Sequence, residues 1–141
     1  MLTLDTTTEF GAHVVARLQQ DPLIWLVTVN ADGTPQPTLV WYLWTGTDII
    51  VFSQPDKPKL HNIARNPRVA LHLESNGQGG DVVVLTGGAQ IDPAGPSTAE
   101  DAAYEPKYAE RITRMGLTYD EFTRAYSVTI RIVPEKLRGW R

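Results

Sequence analysis

The sequence predicts a mainly β (α+β) domain, a six-stranded antiparallel Greek-key barrel with peripheral helices. Its 141 residues match the size of one domain, and its glycines and prolines stand as single turn signals between short apolar runs. Six of these runs are rich in branched and aromatic residues, which is typical of strands. Short turns between strands favour antiparallel pairing, because parallel neighbours need a crossover of about a dozen residues. We therefore expect residues 1–141 to fold as one domain.

A helix and three strands are predicted in the first part of the chain. The helix runs from Thr7 to Gln20, because apolar residues recur every fourth position and Thr6 and Glu9 have the spacing of a capping box. Asn30-Ala31-Asp32-Gly33 predicts a hairpin turn between the first two strands. The three strands are 23–29, 34–44 and 48–53.

The rest of the chain alternates helices with strands. A short helix is predicted from about Lys57 to Asn66, where Asn66-Pro67 ends it. The glycines between residues 77 and 80 predict a hairpin loop between two strands, not a dinucleotide-binding turn, which needs a helix after it. The remaining strands are 69–74, 82–91 and 126–133, and the remaining helices are 97–111 and 120–125.

Composition argues against several classes of function. A net charge of −3 disfavours a general nucleic-acid-binding protein, which would carry a broad basic surface. The chain has no cysteine, and His13, His61 and His72 show no metal-binding spacing, so we expect no metal site. No apolar stretch is long enough to cross a membrane or to form a signal peptide. Together with the lack of cysteine, this predicts a cytoplasmic protein that binds no membrane.

Two lysines at the start of a helix form the strongest local anomaly. Pro58 suits a first helical turn, which places Lys57 and Lys59 at the amino end. The helix dipole disfavours cations there by roughly 0.3 to 1 kcal/mol each, and a bound phosphate would remove the conflict. The alternative is a solvated helix whose lysines pair with Asp56.

Two prolines mark the beginning of the second strand. Pro35 and Pro37 lie two residues apart, so both lack an amide donor on the same side of the strand. One interpretation is an edge strand protected against aggregation. The other is a slot for a flat ligand that lies along the strand and bonds with Gln36, Thr38 and backbone groups.

Both faces of the second strand carry large apolar side chains. Leu39, Trp41 and Leu43 alternate with Val40, Tyr42 and Trp44, although an antiparallel strand usually presents polar residues to water. We favour a homodimer in which a second copy covers the outer face, and the alternative is that the chain's own helices cover it. Trp140, next to the last residue, is a further candidate for packing across an interface or over a ligand ring.

Several segments together resemble a known family. Residues 25–41, 52–62, 66–71 and 83–90 are similar to the split-barrel flavin and deazaflavin oxidoreductases, the pyridoxamine 5'-phosphate oxidase-like proteins. The similarity extends from about Phe10 to the carboxyl end, and it is closest to the actinobacterial branch that uses the deazaflavin coenzyme F420. It implies an FMN-binding type of split barrel.

The resemblance also implies a site. It implies a homodimer with two cofactor sites at the subunit interface, each ring lying against strand residues 36–40 and the phosphate lying on Lys57 and Lys59. F420 has a polyglutamate tail, for which Arg65, Arg68 or His61 would extend the cationic track. The expected cofactor-binding residues are Gln36, Pro37, Thr38, Val40, Phe52, Ser53, Lys57, Lys59, Leu60, Asn62 and Trp140.

The function implied is hydride transfer from reduced F420 to an unsaturated or oxidised small-molecule substrate. Two alternatives remain, an FMN-dependent oxidoreductase of the same fold and a non-catalytic cofactor-binding protein. The carboxyl-terminal segment has no match to the arginine-rich substrate motif of pyridoxamine phosphate oxidases, so we do not expect the chain to make pyridoxal phosphate. No catalytic residue is identified, and the sequence does not decide between Tyr42 and solvent as the proton source.

Overall fold

The computed structural model describes residues 2–141, and these residues form seven strands and four helices. The hairpin turn at Asn30–Gly33 is confirmed by a hydrogen bond of 2.9 Å from the Gly33 amide to the Asn30 carbonyl. The elements in chain order are α1 Glu9–Gln20, β1 Ile24–Val29, β2 Pro35–Val40, β3 Leu43–Trp44, β4 Ile49–Ser53, α2 Pro58–Arg65, β5 Arg68–His72, β6 Val82–Ile91, α3 Thr98–Arg114, α4 Tyr119–Ala125 and β7 Val128–Trp140.

All seven strands belong to one antiparallel sheet in the order β2-β1-β5-β6-β7-β4-β3. Strands β2 and β3 are the two edges of this sheet, yet only Trp41 and Tyr42 separate them in the chain. The three Cα-to-Cα steps from Val40 to Leu43 span at most about 11 Å. The sheet must therefore curl until its edges meet, which confirms the predicted split barrel with peripheral helices.

The strand count differs from the prediction because the expected strand 34–44 is interrupted at Trp41 and Tyr42. Residues on either side of this break pair with opposite ends of the sheet, Val40 with Ile24 and Leu43 with Ile50. The whole segment is apolar, so its composition contains no turn signal at the break. The structure thus has seven strands where six were predicted.

The interior of the barrel holds the main hydrophobic core. Leu26, Leu71 and Leu85 are fully buried on neighbouring strands. Helix α1 contributes Val14 and Leu18, in agreement with its predicted apolar stripe, and α2 contributes Leu60 and Ile63. The two helices thereby close the barrel interior.

A second hydrophobic cluster lies on the other face of β3 and β4. Its buried members on the helices are Tyr104, Tyr108 and Ile112 of α3 and Phe122 of α4. Trp41 and Phe52 pack against them. The chain's own helices therefore cover the end of the predicted second strand, which was the alternative to a second copy of the chain.

The outer face of β2, β1, β5 and β6 has a different environment. Along each of these strands, alternate residues point away from the core and are only half-buried or exposed. They belong to neither hydrophobic cluster. We call this surface the outer face; its members are Trp25, Val27, Val29, Pro35, Pro37, Leu39, Ala70, His72, Val84 and Thr86.

The start of α1 and the end of β7 differ from the prediction. The N-cap of α1 is Thr8, not Thr6, because Asp5 accepts the amide of Thr7 at 2.9 Å and the chain turns before it enters the helix. Strand β7 continues to Trp140 instead of ending at Val133, because it pairs with β6 from Ile130 to Trp140. The pairing shifts between Thr86 and Gly87, where Glu135 of β7, next to Pro134, forms a bulge.

None of the helices formed by residues 2–141 is long and apolar enough to cross a membrane.

Candidate functional site

A groove lies beside β2 and the beginning of α2. It consists of two adjoining pockets of about 300 and 440 Å³, which share the side chains of Thr38, Lys57 and Lys59. The smaller pocket is flanked by aromatic rings, and the larger one by polar residues. We call them the aromatic end and the lysine end of the groove.

The lysine end is built on the start of α2. Lys57 is the N-cap residue, Pro58 follows it in the first turn, and no acidic side chain lies in that turn. The Lys57 side chain makes no capping hydrogen bond. The helix start therefore has the arrangement predicted from the sequence, with amide groups and two ammonium groups at one end of a helix.

The two lysines are not neutralised by the protein. Among residues 2–141, no carboxylate lies within the 4.0 Å ion-pair distance of either ammonium group. The expected alternative, pairing with Asp56, is thus absent from the structure. Burial of Lys59, and secondarily the charge of Lys57, lowers the pKa of Lys59 below its usual value. A bound anion would compensate the charge of both lysines and favour the protonated form of Lys59.

The residues expected to extend the cationic track are engaged elsewhere or lie outside the groove. Arg68 is paired with Glu135 at 2.6 Å. Arg65 donates to the Asn62 side chain at 2.9 Å and to the Val29 carbonyl at 3.1 Å. His61 is exposed and does not line either pocket of the groove. Lys57 and Lys59 are therefore the cations that this chain itself directs into the groove.

The aromatic end is formed where α3 and α4 pack on β4. Trp41 stacks on Phe122 with ring centroids 5.7 Å apart, and Phe52 lies 4.6 Å from Tyr104. Tyr126 stacks on Phe122 at 4.6 Å. Met115, in the connection between α3 and α4, also lines this end and is 44% exposed. Flat apolar groups bind favourably against such rings.

Strand β2 forms one side of the groove. It is an edge strand paired only with β1, which agrees with one interpretation of Pro35 and Pro37. Its residues Gln36, Thr38 and Val40 lie opposite Thr28, Leu26 and Ile24, which face the barrel interior. These three β2 side chains therefore point toward the groove, and the two prolines point to the outer face.

The structure brings most of the predicted site residues together. Those that line the groove are Gln36, Thr38, Val40, Phe52, Ser53, Lys57 and Lys59. Ser53 is 1% exposed, and its hydroxyl donates to the Gln54 carbonyl at 2.8 Å.

The other four predicted residues lie elsewhere. Pro37 is exposed on the outer face, and Leu60 lies in the main core. Asn62 is buried, donates to the side chains of Thr28 and Asn30 at 3.0 and 2.9 Å, and so ties α2 to β1. Trp140 donates its indole N–H to the Gly79 carbonyl at 2.7 Å, at the far end of β7.

The sequence reasoning missed the aromatic wall. Tyr104 and Tyr108 are four residues apart on α3, with Ile112 following at the same interval, and this stripe marks a buried helix face. The stripe alone does not indicate that one end of that face borders a groove. Asn30 and Gln54, in turns after β1 and β4, were also missed.

Tyr42 is wrong as a proton source. Its side chain is fully buried beneath α3, and its hydroxyl donates to the Arg17 carbonyl at 3.4 Å. Burial, above all, raises the pKa of Tyr42. It does not line the groove, whereas Tyr126 does.

Several solved structures share the fold of this chain. A conserved hypothetical protein from Mycobacterium tuberculosis has a TM-score of 0.71 and 23% identity, with 94% of this chain and 84% of that chain covered. An F420 reductase has a TM-score of 0.64 and 22% identity, with coverage of 87% and 94%. The heme storage protein HutZ from Vibrio cholerae has a TM-score of 0.67 and 16% identity, with coverage of 98% and 95%.

These identities indicate a shared fold, and the relatives differ in what they bind. Curated protein sequences give no match to the chain. Residues 10–141, nearly the whole chain, match the sequence pattern of the pyridoxamine 5'-phosphate oxidase family. The chain therefore belongs to the pyridoxamine 5'-phosphate oxidase family.

Proposed function

We propose that this protein is an oxidoreductase that binds coenzyme F420 in the groove and reduces an unsaturated or oxidised small molecule. The observation that carries the proposal is the groove itself, where two lysines without acidic partners adjoin a wall of aromatic rings. A ring-bearing coenzyme with a phosphate has the same two chemical parts. The family binds flavins or deazaflavins, and one structural relative is an F420 reductase.

The residues of the groove fit such a coenzyme. Lys57, Lys59 and the free amide groups at the start of α2 suit a phosphate. Thr38 and Gln36 offer hydrogen bonds along β2, next to the lysines. Trp41, Phe52 and Tyr126 provide apolar surface for a flat ring.

The protein's own contribution is orientation and charge. When bound, the reduced deazaflavin supplies the hydride. The lysines would hold the anionic part of the coenzyme beside β2. The aromatic end would offer its ring a surface from which water is largely excluded.

FMN is the second candidate, and one observation favours it. Among residues 2–141, only Lys57 and Lys59 direct positive charge into the groove, because Arg68 is paired with Glu135 and Arg65 bonds to Asn62. Two cations match one phosphate, whereas a polyglutamate tail carries several more negative charges. F420 binding would require further cations from a second copy of the chain.

A homodimer is part of the proposal. The outer face presents a continuous apolar surface with few charges, formed by residues such as Val27, Val29 and Val84. It begins at β2, so a second copy seated there would border the groove. Uncovered apolar surface of this kind is typical of an interaction site.

Titration of the cofactor-free protein with F420 and with FMN tests the proposal. Both are followed by quenching of tryptophan fluorescence, to which Trp41 in the groove should respond. Tight F420 binding, followed by oxidation of reduced F420 in the presence of an acceptor, would support the proposal. Tight FMN binding without F420 binding would replace it with the FMN-dependent activity. Strong F420 binding without turnover of any acceptor would favour a cofactor-binding protein instead.

A further inference from the structure

A separate pocket lies next to the aromatic end of the groove. It has a volume of about 260 Å³, and Phe52 and Tyr126 line both it and the groove. The other walls come from the Gly95-Pro96 turn, from α3 and α4, and from the first residues of β7. We call it the side pocket. Ligand pockets usually measure about 300 to 1,000 Å³, so the side pocket suits one end of a small molecule rather than a whole coenzyme.

The floor of the side pocket holds the hydroxyl group of a largely buried threonine. Thr129 is 4% exposed, lies opposite Phe52 on the neighbouring strand, and lines the pocket. Its side-chain hydroxyl makes no hydrogen bond to any group in residues 2–141, although its backbone carbonyl accepts the amide of Asp92 at 2.8 Å. No fully buried side-chain nitrogen or oxygen of residues 2–141 lacks a hydrogen-bond partner, so the Thr129 hydroxyl is open to the pocket, where a ligand can bond to it.

A glycine turn borders this hydroxyl. Gly95 has a φ of +71°, and a Cβ atom placed on it would lie 3.9 Å from the Thr129 hydroxyl oxygen, an ordinary contact distance. The turn thus adopts a backbone conformation that favours glycine.

The charge of the side pocket is opposite to that of the lysine end. Asp101 and Asp120 line it, and no lysine or arginine does. Tyr119 donates its hydroxyl to one oxygen of Asp101 at 2.7 Å, and the other oxygen of Asp101 has no hydrogen bond within residues 2–141. The rings of Phe52, Tyr119 and Tyr126 also attract cations through their faces.

We propose that the side pocket binds the ammonium group of a small molecule whose apolar body lies against Phe52 and Tyr126. The ammonium group donates to the Thr129 hydroxyl and to the free oxygen of Asp101. The molecule's other end reaches the aromatic end of the groove across the two shared rings. This last step rests on the proposed function: the bound molecule is then the substrate that accepts the hydride. Its chemical class is that of cationic amines with an aromatic or unsaturated body.

Calorimetric titration of the full chain, without added coenzyme, tests this inference. Phenethylamine is the probe, and phenylacetate is the matched anion of similar shape. We expect saturable binding of the amine and none of the carboxylate. Equal binding of both, or no binding of the amine, would overturn the proposal.

Three variants assign the binding to the side pocket. Thr129→Val keeps the shape of the side chain but removes its hydroxyl, and Asp101→Asn keeps an acceptor for Tyr119 but removes the charge. Each should weaken phenethylamine binding about tenfold, the usual effect of losing a hydrogen bond to a charged group. Glu110→Gln, which removes an exposed carboxylate from the same helix, should have no effect. Normal amine binding by both pocket variants would contradict the proposal.

The melting temperature separates lost binding from lost structure. Thr129→Val removes no internal hydrogen bond, so it should melt at or above the temperature of the wild-type protein. Thr129 does not line the groove, so coenzyme binding by this variant should also be unchanged.

If the wild-type protein binds the amine but neither F420 nor FMN, the proposed function fails while the proposed amine site in the side pocket remains. If a coenzyme binds and the amine does not, only the present inference fails.

Discussion

Trp41 lies flat against Tyr108, with ring centroids 4.9 Å apart and an angle of 6° between the ring planes. The Tyr108 hydroxyl in turn accepts the amide of Tyr42 at 2.9 Å and lies 2.8 Å from two carbonyl acceptors, those of Tyr42 and Pro22. The break between β2 and β3 is thus held by α3 through one stacked ring and one hydroxyl group. Because Trp41 also lines the groove, the same contact places an indole beside any ligand bound there.

Trp41 should report ligand binding in the groove. Trp41→Phe keeps a flat ring in the stack, and we expect it to lose most of the fluorescence quenching caused by F420 or FMN. Trp140→Phe is the control, because Trp140 is 57% exposed and lies away from the groove. Its quenching should equal that of the wild type. Undiminished quenching in Trp41→Phe would mean that the coenzyme binds elsewhere.

The lysine pair should determine coenzyme affinity. Replacement of both Lys57 and Lys59 by alanine removes two hydrogen bonds to a charged group, which would contribute about 3 to 6 kcal/mol if simply summed. We expect a loss of coenzyme binding in the fluorescence titration, with a melting temperature close to that of the wild type. Lys136→Ala removes one exposed lysine outside the groove and serves as the control. An unchanged affinity in the double variant would argue against the anion site.

Asn62 should act on stability more than on binding. Its amide joins Thr28 and Asn30 of the first hairpin region to α2, and its oxygen accepts from Arg65. Asn62→Ala leaves those buried groups without partners, so we expect a loss of about 2 kcal/mol in the free energy of unfolding in urea. Gln19→Ala, an exposed position on α1, should change little. If Asn62→Ala instead abolished coenzyme binding at full stability, Asn62 would be a direct ligand contact.

The stability of the protein should rise with pH because of Lys107. Its ammonium group donates to the Tyr42 carbonyl at 3.0 Å, and burial lowers its pKa from 10.5 to about 8. Between these values the unfolded chain keeps a proton that the folded protein has lost, so the free energy of unfolding increases with pH. Urea unfolding between pH 8 and 10 should show this rise, and Lys107→Met should lack it. The same slope in both proteins would refute the assignment to Lys107.

The outer face should mediate dimerisation. Val27 lies in its middle, between Pro37 on β2 and Ala70 on β5. We expect light scattering after gel filtration to give twice the chain mass for the wild type and the single chain mass for Val27→Glu. Ile91→Glu changes an exposed aliphatic residue at the end of β6 and should remain dimeric. A monomeric wild type, or a dimeric Val27→Glu variant, would rule out this interface.

Much of the fold could be predicted because local signals agree with it. The Asn30–Gly33 turn and the full extent of β6 follow from turn residues and from a run of branched side chains. The lysine end could be predicted for another reason: cations at a helix start oppose the dipole, and such a conflict within one short segment is visible in the sequence.

The features that were missed depend on contacts between distant segments. No residue near Tyr42 indicates a break in the strand. The break is held by the hydroxyl group of Tyr108, 66 residues later, which accepts a hydrogen bond from the Tyr42 amide. The extension of β7 past Pro134 involves a bulge at Glu135, where the pairing with β6 shifts by one residue. The aromatic wall likewise forms only when Tyr104 and Phe122 pack on Phe52, which no local pattern records.

The two-residue connection between Val40 and Leu43 limits how a ligand enters the groove. Such a short connection keeps the adjoining ends of β2 and β3 close together, so these two edge strands cannot separate there to admit a ligand without unfolding. Entry has to take place past flexible side chains at the mouth, among them Met115, which has three rotatable bonds. Capture and release should then follow side-chain rotations, which are faster than rearrangements of the backbone.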